Sequence, residues 1–127
     1  MKYFWFSLLM VPVFALNYSE DISPIMYNNC TSCHREGQIG AFLPLTSYEE
    51  VFNHRFLIAY AISSDDESRH GEPIMPPWPP DREYSTLIGE RYLTEGEIHL
   101  ILDWIEEEAS QGDPGLEYPM PDFPEGS

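Results

Sequence analysis

The stretch Asn28-Asn-Cys-Thr-Ser-Cys-His-Arg-Glu-Gly37 holds both cysteines of the chain, three positions apart, with His34 directly after the second. Three chemistries use this spacing: dithiol–disulfide exchange, part of a zinc site, and covalent attachment of haem. A disulfide across so short a loop constrains the unfolded chain little, because the stabilisation grows with loop length. A redox pair of the thioredoxin kind expects a strand before the motif and a βαβ context, whereas the pattern ahead of Cys30 is helical. A closed zinc site needs four ligands. Cys30, Cys33 and His34 would supply three, and His54, His70 and His99 stand isolated in the sequence. Cys-x-x-Cys-His is also the signature of c-type haem attachment. Its two sulfurs bond the porphyrin vinyl groups at opposite corners of the ring, and the adjacent imidazole is offered to the iron. The sequence favours this third chemistry, with one covalent haem c.

A haem iron bound by His34 has a sixth position to fill. Thioether sulfur is a common choice there and raises the reduction potential. Met75 stands about forty residues on, inside "PIMPPWPP", where Pro73–Pro80 has five prolines in eight residues. Proline fixes φ and lacks an amide donor, so this run is neither helix nor interior strand. It reads as a rigid apolar wall that holds Met75 and Trp78. Met26 is too near the attachment motif, Met120 lies in the tail, and His70 is the alternative ligand. His34 itself calls for a carbonyl to receive its other ring N–H, and the stretch Ile39–Pro44 is placed to supply one. The propionates call for donors. Arg55 is the first choice because it interrupts an apolar helix stripe, although a guanidinium that snorkels to water explains it too. Arg35, Arg69, the Trp78 indole and tyrosine hydroxyls are further candidates.

Three helices would position these residues. The first is expected over about Ser23–Thr31, with Ser23 as its cap and Pro24 at the first helical position. It leads directly into Cys30. The second opens on Ser47 and Glu50, a capping box. It carries Tyr48, Val51, Phe52, Ala59 and Ile62 on one side and ends near Ile62. The third opens on a second capping box, Thr94 and Glu97. Ile98, Ile101, Leu102, Ile105 and Ala109 follow at helical spacing, Trp104 widens the face, and Gly112 and Pro114 mark the end. Before them, Met1-Lys2 and the apolar run to Leu16 read as an export signal, too short for the roughly 20 residues that span a bilayer. The expected organisation is a signal over 1–15, a haem domain over 16–111 and an extended, acidic, Pro/Gly-rich tail over 112–127. No stretch after the signal is long and apolar enough to cross a membrane. The protein is expected to be periplasmic or otherwise exported.

The net charge is −16, with six basic residues against twenty-two carboxylates. Nucleic acid is excluded as a partner, since its phosphates need Lys and Arg. A neutral or basic protein partner suits such a surface better.

With "CTSCHREG", "PLTSYEE", "MPPWPP" and "LTEGEIHLILDWIEEEASQGDP" taken together, Ile22–Phe123 resembles the class I c-type cytochromes. More narrowly, it resembles a monohaem subgroup bearing "MPPW", often joined to copper monooxygenase-like or redoxin-like modules. The resemblance implies a small all-α fold of three to five helices around one covalently bound haem, with the first and last helices crossing. It implies Cys30 and Cys33 as attachment sites, His34 as proximal ligand and Met75 as distal ligand. Trp104 falls at the aromatic position of the terminal helix. The chain departs from the pattern at Ala41, where a proline is usual, and at Ile74, where a basic residue is usual. The function so implied is one-electron transfer to redox protein partners rather than catalysis. The rivals are a haem subunit of an oxidoreductase complex, a peroxide- or gas-binding haem protein with an open distal position, and a sensor or assembly module whose tail holds a partner.

Overall fold

The computed structural model describes residues 15–63, 74–77 and 92–123. Every regular element among them is helical. Asn17 begins the first: its Oδ1 accepts from the Glu20 amide at 3.0 Å, and its own amide donates to Asp21 Oδ2 at 2.8 Å. A wide π turn at Tyr18–Ile22 follows and runs without a break into α1, Ser23–Asn29. The α-helix starts at Ser23 as expected, but Ser23 is not the cap: the π turn ahead of it is capped by Asn17, and Ser23 is already helical and buried. Pro24 explains the wide turn. A proline inside a helix has no amide to give and crowds the carbonyl four residues back. Widening the preceding turn accommodates it.

Helix α2, Tyr48–Ile62, begins at Ser47, whose Oγ accepts from the Glu50 amide at 3.3 Å. The Glu50 carboxylate reaches back one residue further than a standard box, to the amide and hydroxyl of Thr46 at 2.7 and 2.8 Å. Val51, Ile58 and Ile62 form its buried side, while Phe56, Leu57 and Tyr60 are exposed. Helix α3, Glu95–Glu106, carries the complete capping box between Thr94 and Glu97. It stops well before Gly112. Glu108 and Ala109 turn left-handed, at φ 76° and 51°, which costs a side-chain-bearing residue roughly 1–2 kcal/mol. Three tertiary bonds offset that cost: the Ala109 amide donates to Trp104 O and the Trp104 indole to Ser110 O, both at 2.9 Å, and the Tyr48 hydroxyl donates to Ala109 O at 3.0 Å.

The core lies where these elements meet. Tyr18, Ile22 and Met26 pack with Ile101 and Trp104 of α3 and with Val51, Ile58 and Ile62 of α2. Each large apolar side chain so buried contributes about 1.5–3 kcal/mol. The segment after α3 then doubles back on the first helix. The amides of Tyr18 and Ser19 donate to Ser110 O and Gln111 O at 2.9 and 3.0 Å. Gly112, at φ 77°, passes so close to Asn17 that a Cβ there would lie 2.4 Å from Oδ1. A short 3₁₀ turn at Pro114–Leu116 follows. The Tyr118 amide then reaches the buried Ser23 hydroxyl at 3.0 Å. Farther on, Phe123 lies beneath the Arg35 guanidinium, 3.9 Å from ring centroid to Cζ. Residues 111–123 thus form a strap along α1 that ends beside the Cys-x-x-Cys-His turn. Among the described residues, no helix is long and apolar enough to cross a membrane.

Candidate functional site

Cys30 is the C-terminal cap of α1. Its amide and that of Thr31 both return to Met26 O, at 2.8 and 3.1 Å. The amides of Cys33 and His34 both return to Cys30 O, at 3.2 and 2.9 Å. Two successive tight turns therefore gather Cys30, Cys33 and His34. Both thiols are free, Cys30 half-buried and Cys33 exposed. Burial, helped by the Cys33 and Glu97 charges, pushes the Cys30 thiol up to about 12. Its position at the C-terminal, negative end of a helix acts in the same sense. Thiol exchange needs a readily formed thiolate, and the first cysteine of this pair is tuned the other way.

The loop from Arg35 to Leu45 folds over His34. The Leu45 amide donates to His34 O at 3.0 Å and the Gly40 amide to Cys33 O at 2.8 Å. His34 Nδ1 lies 2.9 Å from Leu43 O. A carbonyl only accepts, so the neutral imidazole carries its proton on Nδ1 and keeps its lone pair on Nε2. The acceptor lies inside Ile39–Pro44; it is neither Ala41 nor Pro44 but Leu43, directly before that proline. Gly40 makes this closure sterically feasible: a Cβ there would sit 2.7 Å from Cys33 O and 2.8 Å from His34 Nδ1. The Phe42 ring stands edge-on to the imidazole, 6.4 Å between centroids. Phe42 is nevertheless 83% exposed, and Ile39 on the same loop 87%.

Met75 is placed by α2 rather than by this turn. The last carbonyls of a helix have no partner within it, and one of them, Ala61 O, accepts from the amides of Ile74 and Met75 at 2.8 and 3.0 Å. Met75 is half-buried, while Ile74 is exposed. Arg55 lies on the same helix. Its guanidinium sits over the rings of Phe52 and Phe56, 4.0 and 4.4 Å from their centroids, and donates to Phe52 O at 2.7 Å. Stacking on aromatic faces gives its charge a place in an apolar stripe. Met26 is wholly buried in the core, and Met120 is exposed on the strap. Trp78, His70, Arg69 and the N-terminal segment 1–14 lie outside the described residues.

Gly40, the Leu43 carbonyl, Tyr27, Glu117 and Phe123 were not singled out from the sequence. For Gly40 a signal existed in the crowding of Gly37 and Gly40 around Gln38-Ile39, just after the histidine. Comparison of the chain with protein-family models, curated proteins and solved structures returns no match. The functional reading therefore rests on the residues themselves.

Proposed function

We propose that this chain is an exported monohaem c-type cytochrome that carries single electrons. Cys30 and Cys33 would attach the porphyrin through thioethers, His34 Nε2 and the Met75 sulfur would hold the iron, and Arg55 and the Trp78 indole would serve the propionates. When bound, haem supplies a ferric/ferrous one-electron couple. The observation that carries this reading is the His34–Leu43 bond beneath Gly40. It fixes the tautomer that presents Nε2 to a metal, and a carbonyl in this role strengthens the ligand. Two further features support it. The Cys30 thiol is poorly suited to disulfide exchange, and large apolar side chains lie exposed on the histidine loop and on α2. Met75 ligation raises the potential. The acidic surface selects a neutral or basic redox partner, and such encounters are weak and transient.

The test is a visible spectrum and a pyridine haem assay on protein matured in cells that attach such cofactors, with mass spectrometry of the 30–34 peptide. The expected result is one haem per chain held through both cysteines, and a ferric sulfur–iron band that Met75→Ala abolishes. Unmodified thiols would overturn the proposal. Rapid carbon monoxide binding to reduced protein, without prior ligand loss, would overturn the Met75 assignment and favour the open-site enzyme or gas-binding reading.

A further inference from the structure

Tyr27 stands on α1 one helical turn before Cys30, and the attachment chemistry makes no use of it. It is 3% exposed. Its hydroxyl donates to Glu117 Oε1 on the strap, with Thr46 O 3.4 Å away. The other carboxylate near it, Glu50, is held by the amide and hydroxyl of Thr46. Beside Tyr27 lies the wholly buried Tyr18, whose hydroxyl neighbours that of Tyr27. The Tyr18 ring is 5.4 Å from that of Tyr48 and 6.0 Å from that of Trp104, and Tyr48 is 5.6 Å from Phe52. A phenol that loses an electron becomes a strong acid. At neutral pH it is oxidised efficiently only where a base within hydrogen-bond reach takes the proton. Of the buried tyrosines Tyr18 and Tyr27, the second alone has a carboxylate in that position.

We infer that Tyr27 and Glu117 form a proton-coupled one-electron site. A high-potential one-electron oxidant removes an electron from the Tyr27 phenol, the O–H bond breaks, and the proton passes to Glu117 Oε1. The products are a neutral tyrosyl radical, a carboxylic acid and the reduced oxidant. The Tyr18, Tyr48 and Trp104 rings continue the path into the core. The site gives oxidising equivalents that reach the Cys30 turn a defined place to go. Its chemistry does not depend on the haem assignment.

The test uses the full chain with photogenerated ruthenium(III) tris-bipyridyl as oxidant and electron paramagnetic resonance as readout. With the exposed Tyr60, Tyr92 and Tyr118 replaced by phenylalanine in every sample, the expected result is a tyrosyl signal in the parent background, largely lost in Tyr27→Phe and reduced several-fold in Glu117→Gln, with helicity checked by circular dichroism. In the parent, D2O should slow radical formation measurably. A signal unchanged in Tyr27→Phe overturns the inference, as does a yield unchanged in a folded Glu117→Gln. Should Glu117→Gln fail to fold, a parent rate indifferent to deuterium overturns it equally. Haem content, measured separately on the same samples, enters neither outcome.

Discussion

Replacing Gly40 by alanine should loosen the imidazole of His34. The added Cβ would lie 2.7 Å from Cys33 O and 2.8 Å from His34 Nδ1. Neither neighbour yields cheaply. The carbonyl is held by the Gly40 amide itself at 2.8 Å, and the ring by Leu43 O at 2.9 Å. Relief requires the loop to lift away from His34, which sacrifices both bonds. At about 0.5–1.5 kcal/mol for each bond and about 1–3 kcal/mol for overpacking, the expected loss is about 2–6 kcal/mol. That is a large share of the roughly 5–15 kcal/mol that a domain holds. The control is Gly37→Asn. Gly37 is left-handed at φ 79°, with open space around its Cβ position, and asparagine tolerates that conformation, so the cost should stay below about 1 kcal/mol. Equilibrium urea unfolding gives the energies, and nitrogen NMR of the imidazole gives the tautomer. The parent and Gly37→Asn should show His34 protonated on Nδ1, and Gly40→Ala should show mixed tautomers. If Gly40→Ala unfolds at the parent's denaturant concentration and keeps the Nδ1-protonated pattern, the steric reasoning is wrong.

Trp104→Phe removes the indole bond to Ser110 O and leaves a void at a wholly buried position. A loss of about 2–4 kcal/mol is expected by thermal unfolding, and one under about 1 kcal/mol would show that the end of α3 is held by other means. Alkali should unfold the protein through its buried phenols. Burial, with the Glu117 contact, raises Tyr27 from the ordinary 10.0 to about 12, and burial raises Tyr18 as well. The folded state thus favours the neutral phenol, so this stability is complete below pH 10 and fades as pH climbs through the folded value. Tyr27 alone contributes about 2–3 kcal/mol. Phenolate absorbance followed together with circular dichroism should place the transition above pH 10, and unfolding completed below it would refute the assignment.

The parts of the fold that local chemistry determines were legible in the sequence. Ser47 with Glu50 and Thr94 with Glu97 mark the starts of α2 and α3 because capping is a contact between residues three apart. The all-helical character follows from apolar periodicity in the same segments. The cysteine–histidine turn was legible for the same reason, since the residues it gathers lie within five positions of one another. The start of the first helix was harder. Asn17 and Glu20 carry a capping signal, but it abuts the apolar N-terminal run, and Pro24 marks the start of α1 without showing the π turn ahead of it. The end of α3 at Glu106 depends on where the Trp104 indole and the Tyr48 hydroxyl find carbonyls, which no local pattern encodes. The strap was opaque in the same way. Its prolines and glycines read as a separate tail, whereas Ser19, Ser23 and Tyr27, some ninety positions earlier, supply its partners.

That strap also orders events in time. Gln111 to Phe123 leave the ribosome and cross any membrane after everything they bind. Until they arrive, Ser19 lacks its carbonyl partner, Tyr27 lacks Glu117, and Arg35 lacks the Phe123 ring. Cys30 and Cys33 therefore spend the interval in a nascent chain whose clasp is still to come. Docking of residues 111–123 ends that interval.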